Sequence, residues 1–354
     1  MSITDFLTEA SPLTITSLLL TLGVIFVNGL TDAPNAIATC VTTRCMSVGK
    51  AIFMSAVFNF MGVIVSGRAG ASVTETVMSM VDFGTDENVS VIALSAAMFS
   101  IVLWAVLAWY FGIPTSESHA LIAGLTGSAI CVNGSLGGVN TGEWMKTIYG
   151  LFISCLGGFI CGYVVCRIIL AIFRNVKRQS TDIIFKYGQI FASVLMSFMH
   201  GAQDGQKFMA VLILCAGENH STEQKIPPAV ILLCSVVMAL GTLSGGKKII
   251  KSVGMDMVKL QRYQGFGADL SGALSLFVST CLGLPVSTTH AKTTAMMGCA
   301  CVNGVRGVNP LVIKDMAMAW IFTFPGCGLL GFVVTRMFIW MSLMQNLYFL
   351  MRQK

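Results

Sequence analysis

An internal repeat constrains this chain more than any other feature of its sequence. Three short motifs occur twice, in the same order and about 170 residues apart. The first pair aligns Asp32 with Asp204, and the second aligns His119 with His290. The motif pairs are residues 28–35 and 200–207, residues 114–120 and 285–291, and residues 131–134 and 301–304. A repeat of this kind predicts two homologous halves.

The composition places both halves in a membrane. Apolar residues make up 55% of the chain and charged residues only 11%, whereas soluble domains carry about 25% charged residues. The 36 glycines are typical of closely packed membrane helices. The net charge of +6 comes without a cluster of basic and aromatic residues, so it does not indicate nucleic-acid binding. We therefore expect an all-α polytopic membrane protein in a lipid bilayer.

Apolar segments divide each half into about five membrane segments. Two of these, at 119–133 and 290–303, are shorter than the roughly 20 residues that a spanning helix needs. They are expected to be half-helices, or tilted spans completed by their flanks. The predicted regions are a first repeat at 1–173, a basic linker at 174–182, a second repeat at 183–340 and a C-terminal tail at 341–354.

The distribution of charge predicts the orientation of the halves. Basic residues concentrate in the 44–50 loop, in the linker and in the 246–264 loop, which the positive-inside rule places in the cytoplasm. This placement requires an odd number of crossings in each half, and an odd number makes the second half inverted relative to the first. We expect the protein to lie in the plasma membrane, and both chain termini would then be outside the cell.

The first motif predicts a cation site. Asp32 lies in an apolar segment, where a carboxylate usually marks an ion path. Gly29 and Pro34 weaken a continuous helix, and we expect a broken helix here and at the second copy. Carboxylate and amide oxygens suit a hard cation, although an aspartate can also simply cap a helix. The predicted ligands are Asn28, Asp32, Asn35, Gln203 and Asp204.

The second motif predicts an anion site. In each copy a proline precedes several hydroxyl side chains at the start of an apolar helix, where backbone N–H groups and the helix dipole favour an anion. Two such helix starts, related by pseudo-symmetry, would surround a tetrahedral oxyanion with donors. Ordinary helix capping by serine and threonine is the alternative. The predicted anion ligands are Thr115, Ser116, Ser118, Ser287, Thr288 and Thr289.

The histidines that end these motifs raise the question of an enzyme. Ser118 beside His119 is compatible with an intramembrane hydrolase, but no orienting acid accompanies the pair in both halves. We interpret both histidines as structural hydrogen-bond partners, with a direct substrate or proton role as the alternative. No P-loop or GxGxxG motif is present. The chain is predicted not to be an enzyme and to need no cofactor.

Inverted repeats with broken helices are typical of secondary transporters, whose sites lie near the bilayer midplane. At this point the motifs resemble those of the inorganic phosphate transporter (PiT) family of cation-coupled phosphate symporters. The matching stretches are residues 29–35, 201–207, 114–119, 285–290, 246–254 and 265–268. The resemblance implies phosphate import by alternating access, with sodium favoured as the coupling ion at Asp32 and Asp204, in a homodimer. Some relatives move sulfate or use protons, and an uncoupled anion channel is a further alternative.

The chain departs from the family pattern in three places. Thr31 and Gln203 stand where the family has asparagine. Glu117 lies within the predicted anion site. Lys292 has no basic counterpart in the first half, which has Leu121 at the matching position. Two hypotheses follow: Glu117 and Lys292 compensate each other, or Glu117 carries a coupling proton. The residues predicted to tune the site are Glu117, His119, Lys207, His290 and Lys292.

Overall fold

A computed structural model describes residues 11–70, 72–111, 115–216, 226–246, 250–251, 257–304 and 308–352. Within these ranges the chain forms twelve α-helices, and its β pairing is limited to two single bridges, Val81 with Val139 and Val258 with Val308. The first half contains α1 (Pro12–Thr31), α2 (Ala33–Thr42), α3 (Val48–Ala69), α4 (Ser72–Met78), α5 (Glu87–Phe111), α6 (Glu117–Asn133) and α7 (Thr141–Ile172). The second half contains α8 (Arg178–Cys215), α9 (Pro228–Ser244), α10 (Arg262–Cys281), α11 (Thr288–Cys301) and α12 (Pro310–Arg352).

The helices confirm the predicted all-α membrane protein. Six of the described helical spans are long and apolar enough to cross a membrane. They are α1 with α2, α3, α5, α7, α8 and α12. The helices α6 and α11 contain 17 and 14 residues, which gives lengths of about 25 and 21 Å at 1.5 Å per residue. Both are shorter than the hydrocarbon core of about 30 Å, as their sequences predict.

The helix of the first motif is interrupted at one residue. α1 ends at Thr31 and α2 begins at Ala33, with Asp32 between them. Pro34 in the first turn of α2 has no N–H to donate to the preceding turn. The N–H of Asp32 still donates to the carbonyl of Asn28 at 2.8 Å. The predicted break is therefore present in the first half as a kink that presents the Asp32 side chain.

The matching break predicted in the second half is wrong. α8 continues without interruption from Arg178 to Cys215 and includes Asp204. This copy of the motif contains no proline. Its Gly201 lies so close to α3 that a Cβ would collide with the backbone of Asn59. Glycine serves close helix packing here, so its presence does not interrupt the helix.

The two halves pack against each other through equivalent pairs of helices. The four most extensive contacts between the described helices of the two halves join α3 to α8, α9 to α1, α11 to α7, and α6 to α12. In each pair of contacts, the roles of the first and second half are reversed. The two repeats are therefore distinct in the sequence, but their helices pack together into one structural unit. Their inverted orientation in a membrane stays a prediction.

The basic segments predicted to be cytoplasmic meet on one side of the protein. A cavity of about 940 Å³ is lined by arginines from the first loop, the linker region and the start of α10. These are Arg44, Arg167, Arg174 and Arg262. α8 begins at Arg178, within the predicted linker, and α12 continues as a helix through most of the predicted tail. The division of the chain into these regions stays a prediction.

Candidate functional site

The kink at Asp32 and the starts of α6 and α11 face the middle of α8. Every residue predicted for the cation site, the anion site and their tuning is buried. Pro114, which opens the first anion motif, lies outside the described residues. The side chains that meet here come from α1, α2, α6, α8 and α11, so both halves build one site.

Asn28 joins the two aspartates of the repeat. Its amide Nδ2 lies 3.4 Å from Oδ2 of Asp32 and 3.2 Å from Oδ2 of Asp204. Its own oxygen, Oδ1, is buried and has no hydrogen-bond partner. The two carboxylates therefore lie on either side of one amide, with an unused oxygen acceptor beside them.

Asp204 already has a cationic partner within the chain. Lys207 Nζ lies 2.6 Å from Asp204 Oδ1 and donates also to Ser118 Oγ at 2.6 Å and to the carbonyl of Val286 at 2.5 Å. His200 Nε2 approaches Asp204 Oδ2 at 3.4 Å. An ammonium group at this distance balances the carboxylate charge, so Asp204 does not by itself require a mobile cation.

Asp32 has neutral partners and a second carboxyl group beside it. Thr289 Oγ1 donates to Asp32 Oδ1 at 2.7 Å and accepts a hydrogen bond from Asn35 Nδ2 at 2.9 Å. Oε1 of Glu117 lies 2.5 Å from the hydroxyl of Thr31, the residue before Asp32, which brings the Glu117 carboxyl beside that of Asp32. Oε2 of Glu117 and Oδ1 of Asn35 receive no hydrogen from the protein. Two adjacent carboxyl groups repel unless a proton or a cation lies between them.

The balance of buried charge identifies the unmatched groups. The charged side chains buried in the described part of the chain, leaving histidines aside, are Asp32, Glu117, Asp204, Lys207, Asp269 and Lys292. Lys207 pairs with Asp204, and Lys292 pairs with Asp269. Among the described ion pairs, none includes Asp32 or Glu117.

The predicted anion motifs form two converging helix starts. Ser116 and Ser287 cap α6 and α11, and their Oγ atoms accept hydrogen bonds from the N–H groups of His119 and His290. The two histidine rings contact each other edge to face, with centroids 4.4 Å apart. Capping and the anion site are therefore compatible, since the positive ends of two helix dipoles meet at this point.

Three further hydroxyl groups of these motifs contact the carboxylates. Thr288 Oγ1 donates to Asp204 Oδ2 at 3.3 Å, and Ser118 Oγ lies 3.4 Å from Asp204 Oδ1. Thr289 contacts Asp32, as described above. The predicted anion ligands and cation ligands are thus neighbours in one continuous site.

The histidine contacts do not resemble a hydrolytic centre. His119 stacks on Phe324 with ring centroids 4.6 Å apart. The ring centroids of His290 and Trp320 are 3.6 Å apart. The hydrogen-bond partners of Ser118 are Asp204 and Lys207. Serine and histidine therefore have separate partners. Among the described residues, His119 Nδ1 and His290 Nε2 find no hydrogen-bond partner, so the role of the histidines as structural hydrogen-bond partners stays a prediction.

Three predicted residues lie elsewhere. Thr115 lines a cavity between α5 and α12. Gln203 donates to the carbonyl of Leu284 at 2.7 Å and accepts from Thr280. Lys292 pairs with Asp269, so the structure gives no support to the idea that it compensates Glu117.

Sequence reasoning missed several polar residues of the core. Asp269 is an acid in an apolar segment, and the criterion that identified Asp32 applies to it equally. On α8, a polar stripe at helical spacing also continues away from the site. The stripe comprises Gln189, Ser193, Ser197, His200, Asp204 and Lys207.

Comparison with known proteins agrees with this geometry. Residues 28–331 match the model of the phosphate transporter family. The chain belongs to this family. The match begins at Asn28 and includes both copies of both site motifs. Because this is a family of transporters, the hydrolase alternative is excluded.

Individual relatives cover nearly the whole chain. A probable low-affinity inorganic phosphate transporter of Bacillus subtilis is 36% identical over 321 residues, which is 90% of this chain and 95% of the relative. A protein of the same description from Rhizobium meliloti is 34% identical and covers 92% of this chain and 96% of its own length. A solved structure described as the sodium-dependent phosphate transporter superposes with a TM-score of 0.83 at 21% identity. The superposition covers 92% of this chain and 99% of the solved chain, and it confirms the fold.

Proposed function

We propose that this protein imports inorganic phosphate together with a cation that binds between Asp32 and Glu117. The observation that carries the proposal is the buried carboxyl pair without an ion-pair partner, beside two converging helix starts. The names of the relatives support phosphate as the substrate.

The atoms around Asp32 suit a hard monovalent cation. Carboxylate, amide and hydroxyl oxygens are the ligands that such ions prefer. Three buried oxygens without a hydrogen donor adjoin or belong to this pair, namely Asn28 Oδ1, Asn35 Oδ1 and Glu117 Oε2. The described residues contain no group of three or more His, Cys, Asp or Glu that could hold a metal ion. Sodium is the favoured ion, and the description of the structural relative agrees with this choice.

Phosphate would bind at the starts of α6 and α11. First-turn N–H groups and the helix dipoles provide positive potential there, and a cation at Asp32 would lower the electrostatic cost of bringing an anion to this depth. Moving one charge through 100 mV takes about 2.3 kcal/mol. A divalent phosphate entering a negative cell therefore needs two monovalent cations for neutrality, and a third cation would make the cycle electrogenic, so that the membrane potential also drives import.

Transport would then proceed by alternating access. Cation binding between Asp32 and Glu117 precedes phosphate binding, and movement of one repeat against the other opens the site inward. The arginine-lined cavity on the side predicted to be cytoplasmic would receive the released anion. Plasma-membrane location, external termini and the homodimer stay predictions.

A second candidate for the coupling ion is a proton on Glu117. The Thr31 hydroxyl lies 2.7 Å from the carbonyl of Val27 and 2.5 Å from Glu117 Oε1. A hydroxyl has one hydrogen to donate. If that hydrogen goes to Val27, the short contact to Glu117 requires a hydrogen on the carboxyl group.

Uptake of labelled phosphate into proteoliposomes tests the proposal, with sodium and pH gradients imposed separately. We expect an inward sodium gradient alone to drive accumulation above equilibrium. Accumulation driven only by the pH gradient would transfer the role to the proton. Mere equilibration would indicate a channel, and strong competition by sulfate would indicate a sulfate transporter.

A further inference from the structure

A second buried polar cluster lies one helical turn from the proposed site. Asp269 on α10 accepts hydrogen bonds from Thr39 at 2.5 Å, from Gln189 at 2.6 Å and from Ser193. Lys292 completes the cluster, with its Nζ on Asp269 Oδ1 and 3.0 Å from Thr39 Oγ1. All five side chains are fully buried.

The Lys292 ammonium contacts oxygens of Asp269 and Thr39, and two further polar side chains contact the other oxygen of the Asp269 carboxylate. Asp269 offers a carboxylate and Thr39 a hydroxyl, and Ser193 adds a hydroxyl that contacts the same carboxylate. Gln189 holds Asp269 through Nε2, while its own carbonyl oxygen is buried without a partner. Carboxylate, hydroxyl and amide oxygens on several helices are the ligands of a hard cation. The ammonium group supplies one positive charge in their midst.

The fold does not require this ion pair, because the other half lacks it. Lys292 corresponds to Leu121, and Thr39 corresponds by the repeat to Val211. The only acid on α5, which corresponds to α10, is the exposed Glu87 at its first position. The positions matching Gln189 and Ser193 are occupied by Ser17 and Thr21, which make neutral contacts to the thiol of Cys215.

The two clusters share helices. Asp32 and Thr39 flank Asn35 along the α1–α2 kink, and Thr289 and Lys292 are one turn apart on α11. Along the helix axes these spacings correspond to about 4.5 Å for the three residues on α11 and about 10.5 Å for the seven residues of the kinked helix. The positive charge at the second cluster therefore lies close enough to act on the first. In the interior such a charge is only weakly screened.

We propose that the Lys292 ammonium is a tethered cation that permanently fills a monovalent-cation site formed by Asp269, Thr39, Ser193 and Gln189. This chain then moves one free cation fewer in each cycle than it would with a neutral residue at position 292. The inference rests on the proposed function, because it assigns part of the positive charge of that function to the protein itself.

Lys292→Met is the direct test, since methionine is similar in shape but lacks the terminal atom that occupies the site. Radioactive sodium binding to the purified protein in detergent is measured at equilibrium, with choline replacing sodium to keep the salt constant. We expect Lys292→Met to bind one more sodium ion per chain than the natural protein. Lys292→Arg, which keeps the charge, and the double variant Lys292→Met with Asp269→Asn should bind the natural number.

A folded Lys292→Met variant with an unchanged sodium count would overturn the proposal. If this variant is unfolded without sodium, its recovery by sodium but not by choline supports a vacated cation site. Failure to fold even in sodium overturns the proposal, because Asp269 then needs the ammonium itself. The extra ion is counted without phosphate uptake. If the natural protein binds no sodium and Lys292→Met binds one ion, this inference is upheld and sodium coupling of transport is rejected.

Discussion

The pair of adjacent threonines on α11 offers a sharp test of the site, because Thr288 and Thr289 contact different aspartates. Thr289 Oγ1 lies 2.7 Å from Asp32 Oδ1, whereas Thr288 Oγ1 lies 3.3 Å from Asp204 Oδ2. Asp204 also has Lys207 at 2.6 Å. Valine replaces threonine with nearly the same shape and removes only the hydroxyl. The two variants therefore differ in which carboxylate loses a donor.

The expected magnitudes follow from these distances. Thr289→Val removes a short hydrogen bond to a charged group and leaves Asn35 Nδ2 with only a long contact of 3.5 Å to Asp32 Oδ1. The loss should cost about 1.5–3 kcal/mol of folding free energy. Thr288→Val removes a long bond to a carboxylate that is otherwise well paired, and should cost about 0.5–1.5 kcal/mol. Because Asp32 is the proposed cation ligand, Thr289→Val should also raise the sodium concentration for half-maximal phosphate uptake.

Both quantities are measurable in parallel. Denaturant unfolding in mixed micelles gives the stability of each variant, and uptake at saturating phosphate and varied sodium gives the half-saturation. The reasoning is refuted if Thr288→Val is the more destabilising variant. It is also refuted if Thr288→Val shifts the sodium dependence and Thr289→Val leaves it unchanged.

Three further variants test other parts of the structure. Lys207→Met leaves Asp204 buried without its ammonium partner and should cost about 3–5 kcal/mol of folding free energy in the same unfolding assay. The double variant with Asp204→Asn should recover part of that loss. Additive effects of the two substitutions on stability would contradict the pairing. Glu117→Gln removes one of the two carboxyl groups proposed to bind the cation, so it should raise the sodium concentration for half-maximal uptake. It should also abolish any response of uptake to an imposed pH gradient, and a retained response removes the proton role. Gly127→Ala should cost about 1–3 kcal/mol, because its Cβ would collide with the Gly328 carbonyl on α12. The control Gly49→Ala has free space and should stabilise α3 by about 0.5–1 kcal/mol, so equal effects would contradict the close packing.

The residues of the site could be found in the sequence because the repeat marks them twice. A single aspartate in an apolar segment is ambiguous, but Asp32 and Asp204 at matching positions indicate one shared site. The short helices at the second motif were also predictable from their length. The architecture followed from composition, since so few charged residues leave little alternative to membrane helices.

The partners of these residues could not be read from the sequence. The Asp204–Lys207 pair is an exception, because the two residues are three positions apart on α8. Only the packing of α10 against α11 shows that Lys292 binds Asp269. The contact of Glu117 with Asp32 likewise depends on how α6 meets the kink. The false expectation of a break in α8 came from extending the break at Asp32 to the second copy of the motif, which contains no proline. Gly201 in that copy allows α3 to approach.

The most direct test of the cation role of Asp32 is sodium-driven phosphate uptake by Asp32→Asn in proteoliposomes. Asparagine keeps the size of the side chain and can still accept a hydrogen bond from Thr289, so the variant is expected to fold, which its thermal unfolding and reconstitution yield will check. We predict that an inward sodium gradient no longer drives phosphate accumulation in this variant. Sodium-dependent accumulation at the natural level, by a correctly folded Asp32→Asn protein, would contradict the proposed coupling site.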